Sequence, residues 1–348
     1  MCTYLVKRGV FMEKQHTDSP FIADAHFDLA PDLWYRHVRG ERKIMAANYL
    51  ATLKKGGISL IASSLFLNGI YLPEMALRGT LDQISVLLEE IEEEKDSLAL
   101  CTSPEDISKA RKEGKIGILL SFEGAEPLGN DPYLLRIFHA LGVRGIGLVW
   151  SRRNYVGDGC FFSPKKSGTP GGITDFGAGV LAEAERLGMF IDVSHLNDQG
   201  FWDVVELTRK PFMASHSNCR SLASSMRNLT DEQIRAIAER GGVIGLNTCS
   251  AFVAEDHQKR RLSLEELALH LDRVISLGGT DCPCFGFDIC DHLPDLGFSG
   301  SLDSYDVLKD HGEVPAFLEV LRKKGYSEEL IAKIAGGNYL RFLNEILM

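Results

Sequence analysis

Ile191-Asp192-Val193-Ser194-His195 and Pro211-Phe212-Met213-Ala214-Ser215-His216-Ser217 are two short runs that each carry apolar residues up to a histidine. Residues 197–209 between them are about one helix long, with Phe201, Val204, Val205 and Leu207 as the apolar positions. Strand, helix, strand is a βαβ unit, and its second strand should lie parallel to the first. Two parallel neighbours that end in histidine set two imidazoles side by side at one mouth of a sheet. Imidazole is the commonest metal ligand among side chains, so this is a candidate metal site. Taken alone, the stretch reads equally well as two ordinary strand-end histidines.

The same punctuation continues on both sides. Gly56-Gly57, Gly114, Gly142, Gly188, Gly241-Gly242 and Gly278-Gly279 each follow a helix-like segment and precede an apolar run. Glycine after a helix is the left-handed C-terminal cap, so each marks a helix ending and a strand beginning. Ser103-Pro104-Glu105-Asp106 reads as a helix start, and Thr230-x-x-Gln233 and Ser263-x-x-Glu266 have capping-box spacing. Residues 41–54 have helical composition. Strands are predicted near 21–26, 58–66, 116–122, 143–150, 189–194, 211–215, 242–247 and 284–288. The run Leu98-Ala99-Leu100-Cys101 is short, carries no motif residue after it, and is left out of the count. Eight apolar strands alternating with helices predict one (β/α)8 TIM barrel over residues 1–348, with C-terminal helices from about 303. A doubly wound open sheet is the alternative, but no glycine-rich phosphate fingerprint follows the first strand.

Composition narrows the function. The 348 residues are 45% hydrophobic and carry a net charge of -10, with lysine and arginine scattered. Nucleic-acid binding is therefore not expected. No uncharged apolar run approaches about 18 residues, so no membrane segment is expected. Lys7, Arg8, Glu13 and Lys14 do not suit a secretory signal, and Glu345-Ile346-Leu347-Met348 does not suit a lipid anchor. The eight cysteines form no C-x-x-C pair and read as reduced thiols of a cytoplasmic protein.

In a barrel, catalytic groups stand at the C-terminal ends of the strands. These ends supply His26 and Asp28, Glu123, Trp150 and Ser151, His195, His216, Asn247 and Asp288. The second and seventh ends contribute little that ionises. His26 and Asp28 are two apart and point to the same side of an extended segment. Two imidazoles, a His-x-Asp pair and one glutamate suit two divalent ions with a bridging carboxylate. Such ions lower the pKa of water to about 7, so no serine or cysteine nucleophile is required. Ser194, Ser215 and Ser217 read as hydrogen-bonding supports of the ligands.

The chain resembles the membrane (renal) dipeptidase family, a branch of the metal-dependent amidohydrolase barrels. The resemblance runs from about Asp24 to Phe342. It rests on His26-Phe27-Asp28, Ser121-Phe122-Glu123-Gly124-Ala125, Asp175-Phe176-Gly177, Asp192-Val193-Ser194-His195 and Ser215-His216-Ser217. Arg227-Asn228, Gly242-Val243-Ile244-Gly245-Leu246-Asn247 and Gly336-Gly337-Asn338-Tyr339-Leu340-Arg341 complete it. The resemblance implies a two-zinc dipeptidase acting on small peptides, which can carry a D-residue at the C-terminal position. His26 and Asp28 would hold one ion, His195 and His216 the other, and Glu123 would bridge. Asp288 would transfer the proton, Arg227 would take the substrate carboxylate, and Trp150 and Asn154 would line the substrate.

Two positions depart from the family. Animal members have histidine where this chain has Val149-Trp150-Ser151, whereas bacterial members often have tryptophan, followed by a pattern similar to Asn154 and Asp158-Gly159. The usual Asp-x-Asp-Gly reads Asp288-Ile289-Cys290-Asp291 here. His292 reads as a loop histidine, Cys282-Pro283-Cys284 as thiols without ligand spacing, and Arg152, Arg153 and Arg220 as solvated loop arginines. His16, His37, His139, His257, His270 and His311 read as surface or packing residues. Another amidohydrolase-barrel hydrolase, acting on cyclic amides or N-acyl amino acids, is the second enzyme reading. A metal-retaining binding protein is the non-enzymatic one. Monomer and homodimer remain open.

Overall fold

The computed structural model describes residues 20–161, 169–290 and 304–347. Its strands are β1 (Ile22–Phe27), β2 (Ile58–Leu65), β3 (Leu98–Leu100), β4 (Ile116–Glu123), β5 (Val143–Gly147), β6 (Phe190–Asp192), β7 (Ile244–Leu246) and β8 (Pro283–Phe285). All pairings between them are parallel, in the order β1-β2-β4-β5-β6 and β7-β8. Between β6 and β7, Met213 and Ala214 bridge to Asp192 and Ile244. The Met213 amide donates to Ile191 O at 2.9 Å, and the Gly245 amide donates to Ala214 O at 2.8 Å. On the other side the Asp288 amide donates to His26 O at 3.2 Å, joining the end of the chain of strands to its start. This is the curled parallel sheet of a TIM-type α/β barrel.

Two strand expectations change. Leu98–Leu100, left out of the sequence count, pairs with Ile116–Ile118 of β4. β4 is eight residues long and pairs with β5 only from Leu120 to Glu123, so its lower edge amides need another partner. The expected strand 211–215 shrinks to its bridging pair. Its position is fixed by close approach: a Cβ on Gly245 or Gly286 would lie 1.8 or 1.7 Å from Ser215 O. Glycine at both sites lets the sixth segment run between its neighbours at the depth that aims Ser215 and His216 inwards.

Helix signals are largely as read. Asn197 caps Asp198–Leu207, Ser103 caps Pro104–Lys112, and both capping boxes are formed. The segment 41–54 differs, starting with a π-helical turn at Met45–Tyr49 before the α-helix Leu50–Gly56. Buried Glu90 accepts the Ile44 and Met45 amides at 2.9 Å each, capping that start from another helix. Leu60, Ala62, Leu119, Phe190, Met213 and Cys284 form an inner cluster with Tyr339, Phe342 and Leu343 of the C-terminal helix Asn338–Ile346. Apolar packing therefore fills the barrel, and polar groups gather at the strand C-termini. No helix among the described residues is long and apolar enough to cross a membrane.

The seam between β8 and β1 is held by Asp24, which is 0% exposed. Its Oδ1 accepts the amides of His26 (3.2 Å) and Phe287 (2.8 Å), and its Oδ2 accepts His311 Nε2 (2.8 Å). Asp24→Ala would strand three buried donors at about 1–3 kcal/mol each before relaxation. Urea unfolding of the metal-free variant is expected to show a loss of about 3 kcal/mol or more; a loss under about 1 kcal/mol would contradict this role for Asp24.

Candidate functional site

His26 lies near the end of β1, Asp28 just beyond it, and Glu123 at the end of β4. His195 and Asp288 lie three residues past β6 and β8, with φ of 71° and 53°. Left-handed backbone is costly for non-glycine residues and gathers at functional sites. Here it turns both side chains back over the barrel mouth. His26, Asp28, Glu123, His195 and His216 are all buried, and Asp288 is 16% exposed at its side chain.

The ligand-type atoms fall into two sets joined by one carboxylate. Glu123 Oε1 is 2.9 Å from His195 Nε2 and 3.7 Å from His216 Nε2, while Oε2 is 3.6 Å from His26 Nε2. His26 Nε2 also lies 3.7 Å from Asp28 Oδ1 and 3.8 Å from Asp288 Oδ1. Glu123-His195-His216 and His26-Asp28-Asp288 each bring three donor atoms within 4.8 Å. His26 Nε2 and Glu123 Oε2 are buried without a hydrogen-bond partner. Tetrahedral ligands at about 2.0–2.1 Å from zinc stand about 3.3 Å apart, close to these separations. The donor set fits divalent ions.

Neighbouring groups fix which imidazole nitrogen faces inwards. Ser215 Oγ donates to Asp192 Oδ2, so it can only accept from His216 Nδ1 at 2.6 Å. His216 therefore carries its proton on Nδ1 and turns the Nε2 lone pair towards Glu123. Ser151 Oγ lies 2.8 Å from His195 Nδ1 and supports that ring in the same place. Ser64 Oγ donates to Asp28 Oδ1, and Asn247 Nδ2 donates to Asp288 Oδ2 at 2.8 Å. The second and seventh strand ends, which contribute little that ionises, thus orient the two carboxylates through a hydroxyl and an amide. Asp192 accepts the Ser194 and Ser215 amides at 2.9 Å each and serves as a support, its oxygens already engaged. Asp192 and Asp24 escaped the sequence reading; each is a carboxylate inside an apolar strand, which is the signal that would have found them.

Charge is distributed unevenly. Burial disfavours a charged His26, but Glu123, Asp288 and Asp28 overcome it and push its pKa up to about 10. Burial and then Arg227 bring His195 down to about 3, and burial followed by His26 and Arg227 depresses His216. Burial and the Glu123 charge raise both Asp28 and Asp288. Burial also disfavours the Glu123 carboxylate, yet His26 and the hydrogen bond from His195 hold it well below the usual range. The His195 side is thus ready with neutral nitrogens, whereas the acidic side calls for a cation.

The arginines divide sharply. Arg152 pairs with Glu126 (2.7 Å), Arg153 with Asp158 and Arg220 with Asp198 (2.8 Å), so these are committed ion pairs and not merely solvated residues. Arg227 is 4% exposed. It donates from Nη2 to His216 O at 3.1 Å and contacts Ser217 Oγ at 3.5 Å, and its Nε has no partner. No carboxylate among the described residues forms an ion pair with it. Trp150 stacks on His195 at 5.6 Å. Asn154 donates to Leu148 O and accepts the Val156 and Gly157 amides, so its amide shapes the β5 loop. His292 and Asp291 lie outside the described residues. His270 and His311 are packing residues, as expected.

The sequence profile of the membrane dipeptidase family, peptidase family M19, matches residues 12–347. The chain belongs to this family. Its members are metallopeptidases, and this protein is accordingly a peptide-bond hydrolase of the metallo-dipeptidase type. It is 33% identical over 266 residues to an uncharacterized protein of the pqqA 5′ region of Klebsiella pneumoniae, covering 76% of this chain and 94% of that protein. It is 28% identical to dipeptidase tcpJ of Claviceps purpurea over 78% of this chain and 60% of that protein. Among solved structures, the M19 metallopeptidase dipeptidase AC aligns with a TM-score of 0.84 at 28% identity, covering 94% of this chain and 99% of that one. A Rhodobacter sphaeroides metallopeptidase aligns with a TM-score of 0.83 at 26% identity, covering 94% and 100%; it carries a phosphinate mimic of the dipeptide L-Ala-D-Ala.

The charge pattern makes metal uptake a proton-releasing event. His26, with its pKa near 10, is protonated at pH 7.5 in the metal-free chain and must lose that proton to become a ligand. Calorimetric titration with zinc in buffers of different ionisation enthalpy is expected to report a released proton, with affinity rising from pH 7 towards 10. His26→Ala is expected to remove that release. Uptake at pH 7.5 without proton release would contradict the assignment of His26.

Proposed function

We propose that this metallo-dipeptidase cleaves free dipeptides, including L-Xaa-D-Xaa, with two divalent ions, zinc in the natural enzyme. His195 and His216 would hold one ion, His26 and Asp28 the other, and Glu123 would serve both. Ions in those places supply Lewis-acid polarisation of the scissile carbonyl and acidify the attacking water. The observation that carries the substrate reading is Arg227, a buried guanidinium bonded to the backbone of a ligand histidine and unpaired with any described carboxylate. A buried cation needs a counter-charge, and a dipeptide presents its carboxylate one residue beyond the scissile bond. The L-Ala-D-Ala mimic in the Rhodobacter sphaeroides relative supports a D-residue at that end.

Asp288 would take the proton of the attacking water and return it to the leaving amine. Asn247 anchors one of its oxygens, and the other faces His26 and, at 3.6 Å, Cys290 Sγ. The thiol at the position where the family has aspartate is thus a direct neighbour of the shuttle. Trp150, stacked on His195, gives the substrate an apolar wall, and Asn154 holds the loop that carries it. The seven described cysteines are free thiols, which supports a cytoplasmic setting.

Asp288→Asn keeps shape and removes the base, so turnover is expected to fall by about 10²–10⁴ with bound metal unchanged. Near-normal turnover would move the proton transfer to another group. Arg227→Met is expected to lower kcat/KM on dipeptides by about 10- to 150-fold, the scale of a charged hydrogen bond, with metal content retained. Dipeptide amides lack the carboxylate and should be poor substrates that lose little further. Equal losses on acids and amides would contradict the clamp.

A further inference from the structure

The loops after β1 and β2 enclose a cavity of about 20 Å³, lined by Trp34, Tyr35, Phe66, Asn68, Tyr71 and Gln83 among others. That volume admits about one water-sized group. No carboxylate, ammonium or guanidinium lines it. Its walls are held in place. Buried Gln83 donates from Nε2 to Phe66 O at 2.5 Å, and the Trp34 and Tyr71 rings meet edge to face at 5.4 Å. Asn68 Oδ1 accepts the Ile70 amide at 3.0 Å, fixing the turn that carries Tyr71.

One wall of the cavity is linked to the metal-ligand cluster through ring contacts. Phe66 lies 5.4 Å from Trp150, which stacks on His195. Trp34 and Tyr35 stand on the helix Leu29–Val38, whose N-cap is Asp28. Around the ring, Met213–Ala214 occupies the sixth place and β2 the second, so the two are opposite. Arg227 lies in the loop after the sixth. A dipeptide that sets its carboxylate on Arg227 and its scissile carbonyl over Glu123 must direct its N-terminal residue to the far side, towards the loops of β1 and β2.

We infer that this cavity is the subsite for the side chain of the substrate's N-terminal residue, and that it selects a small, uncharged group on the scale of a methyl. The inference rests on the dipeptide reading above. Aromatic walls supply dispersion contacts to a small apolar group and no partner for a charge, so a buried carboxylate or ammonium is penalised there. Two cations lie against its wall residues without lining it: Arg152, 5.3 Å from the Phe66 ring, is tied to Glu126 and Leu67 O, and Arg39 is stacked at 3.9 Å on the Tyr35 ring.

The test is kcat/KM of the zinc-loaded protein on Ala-, Leu-, Phe-, Asp- and Lys-dipeptides sharing a C-terminal alanine, in the configuration cleaved faster. Alanine is expected to lead leucine and phenylalanine by about tenfold or more, the scale of misfitted methylenes, with Asp and Lys lower still. Tyr71→Ala is expected to raise the Leu/Ala ratio by about tenfold while leaving the preference among Ala-Xaa dipeptides unchanged. A merely destabilising effect would lower all substrates together. Asn68→Asp keeps the bond to the Ile70 amide and adds a charge at the wall; it is expected to raise the Lys/Ala ratio by about two- to fivefold. Dipeptides cleaved with ratios that neither variant moves, or with only the C-terminal preference shifted, would overturn the subsite and leave the dipeptidase reading intact. If the natural protein cleaves none of the dipeptides, both fall.

Discussion

Closure of the ring between β8 and β1 is the constraint on which everything at the mouth depends. His26 and Asp28 come from the start of the barrel and Asp288 from its end, some 260 residues later in sequence. They share a cluster because one buried carboxylate, Asp24, accepts amides from both sides of the seam and is itself backed by His311. On the opposite side Asp192 does the same for β6 and the sixth segment, taking the amides of Ser194 and Ser215. Asp24 lies two residues before His26, and Asp192 three residues before His195. The scaffold thus uses carboxylates twice, deep ones satisfied by amides to fix the strands and shallow ones left for chemistry.

Glu123 is where the two halves of the site meet. One of its oxygens faces neutral, serine-supported imidazoles; the other faces His26 among three acids. Burial alone would push every one of these groups towards its neutral form. The shifts show that His26 and Glu123 stay charged by leaning on one another, while His195, His216, Asp28 and Asp288 are pushed towards their neutral forms. Arg227 adds a second positive charge at the rim, depressing the two histidines and remaining available to an anion. A substrate that brought one carboxylate would complete that arrangement.

Most of the barrel could be read in the sequence because helix ends wrote themselves as glycines and caps. Gly57 and Gly188 adopt the left-handed cap conformation, and Thr230 and Ser263 form their boxes. The ligand-type residues were legible for a related reason: strand ends are short, polar and follow apolar runs. Leu98–Leu100 was not legible, since its existence answers a need of β4 that only pairing reveals. Nor was the shrinking of the sixth strand, which depends on two distant glycines closing on Ser215 O. The supports Ser64, Ser151 and Asn247 carry no pattern of their own; their roles arise from contacts across the mouth. The ion pairs of Arg152, Arg153 and Arg220 are likewise tertiary facts, and they leave Arg227 distinct from its neighbours.

The central claim is that one carboxylate, Glu123, serves two metal ions, and anomalous diffraction at the zinc edge tests it most directly. Crystals of the zinc-loaded protein should show two peaks flanking Glu123, one bounded by His195 and His216 and the other by His26 and Asp28. A single peak, or ions bound away from Glu123, would contradict the account.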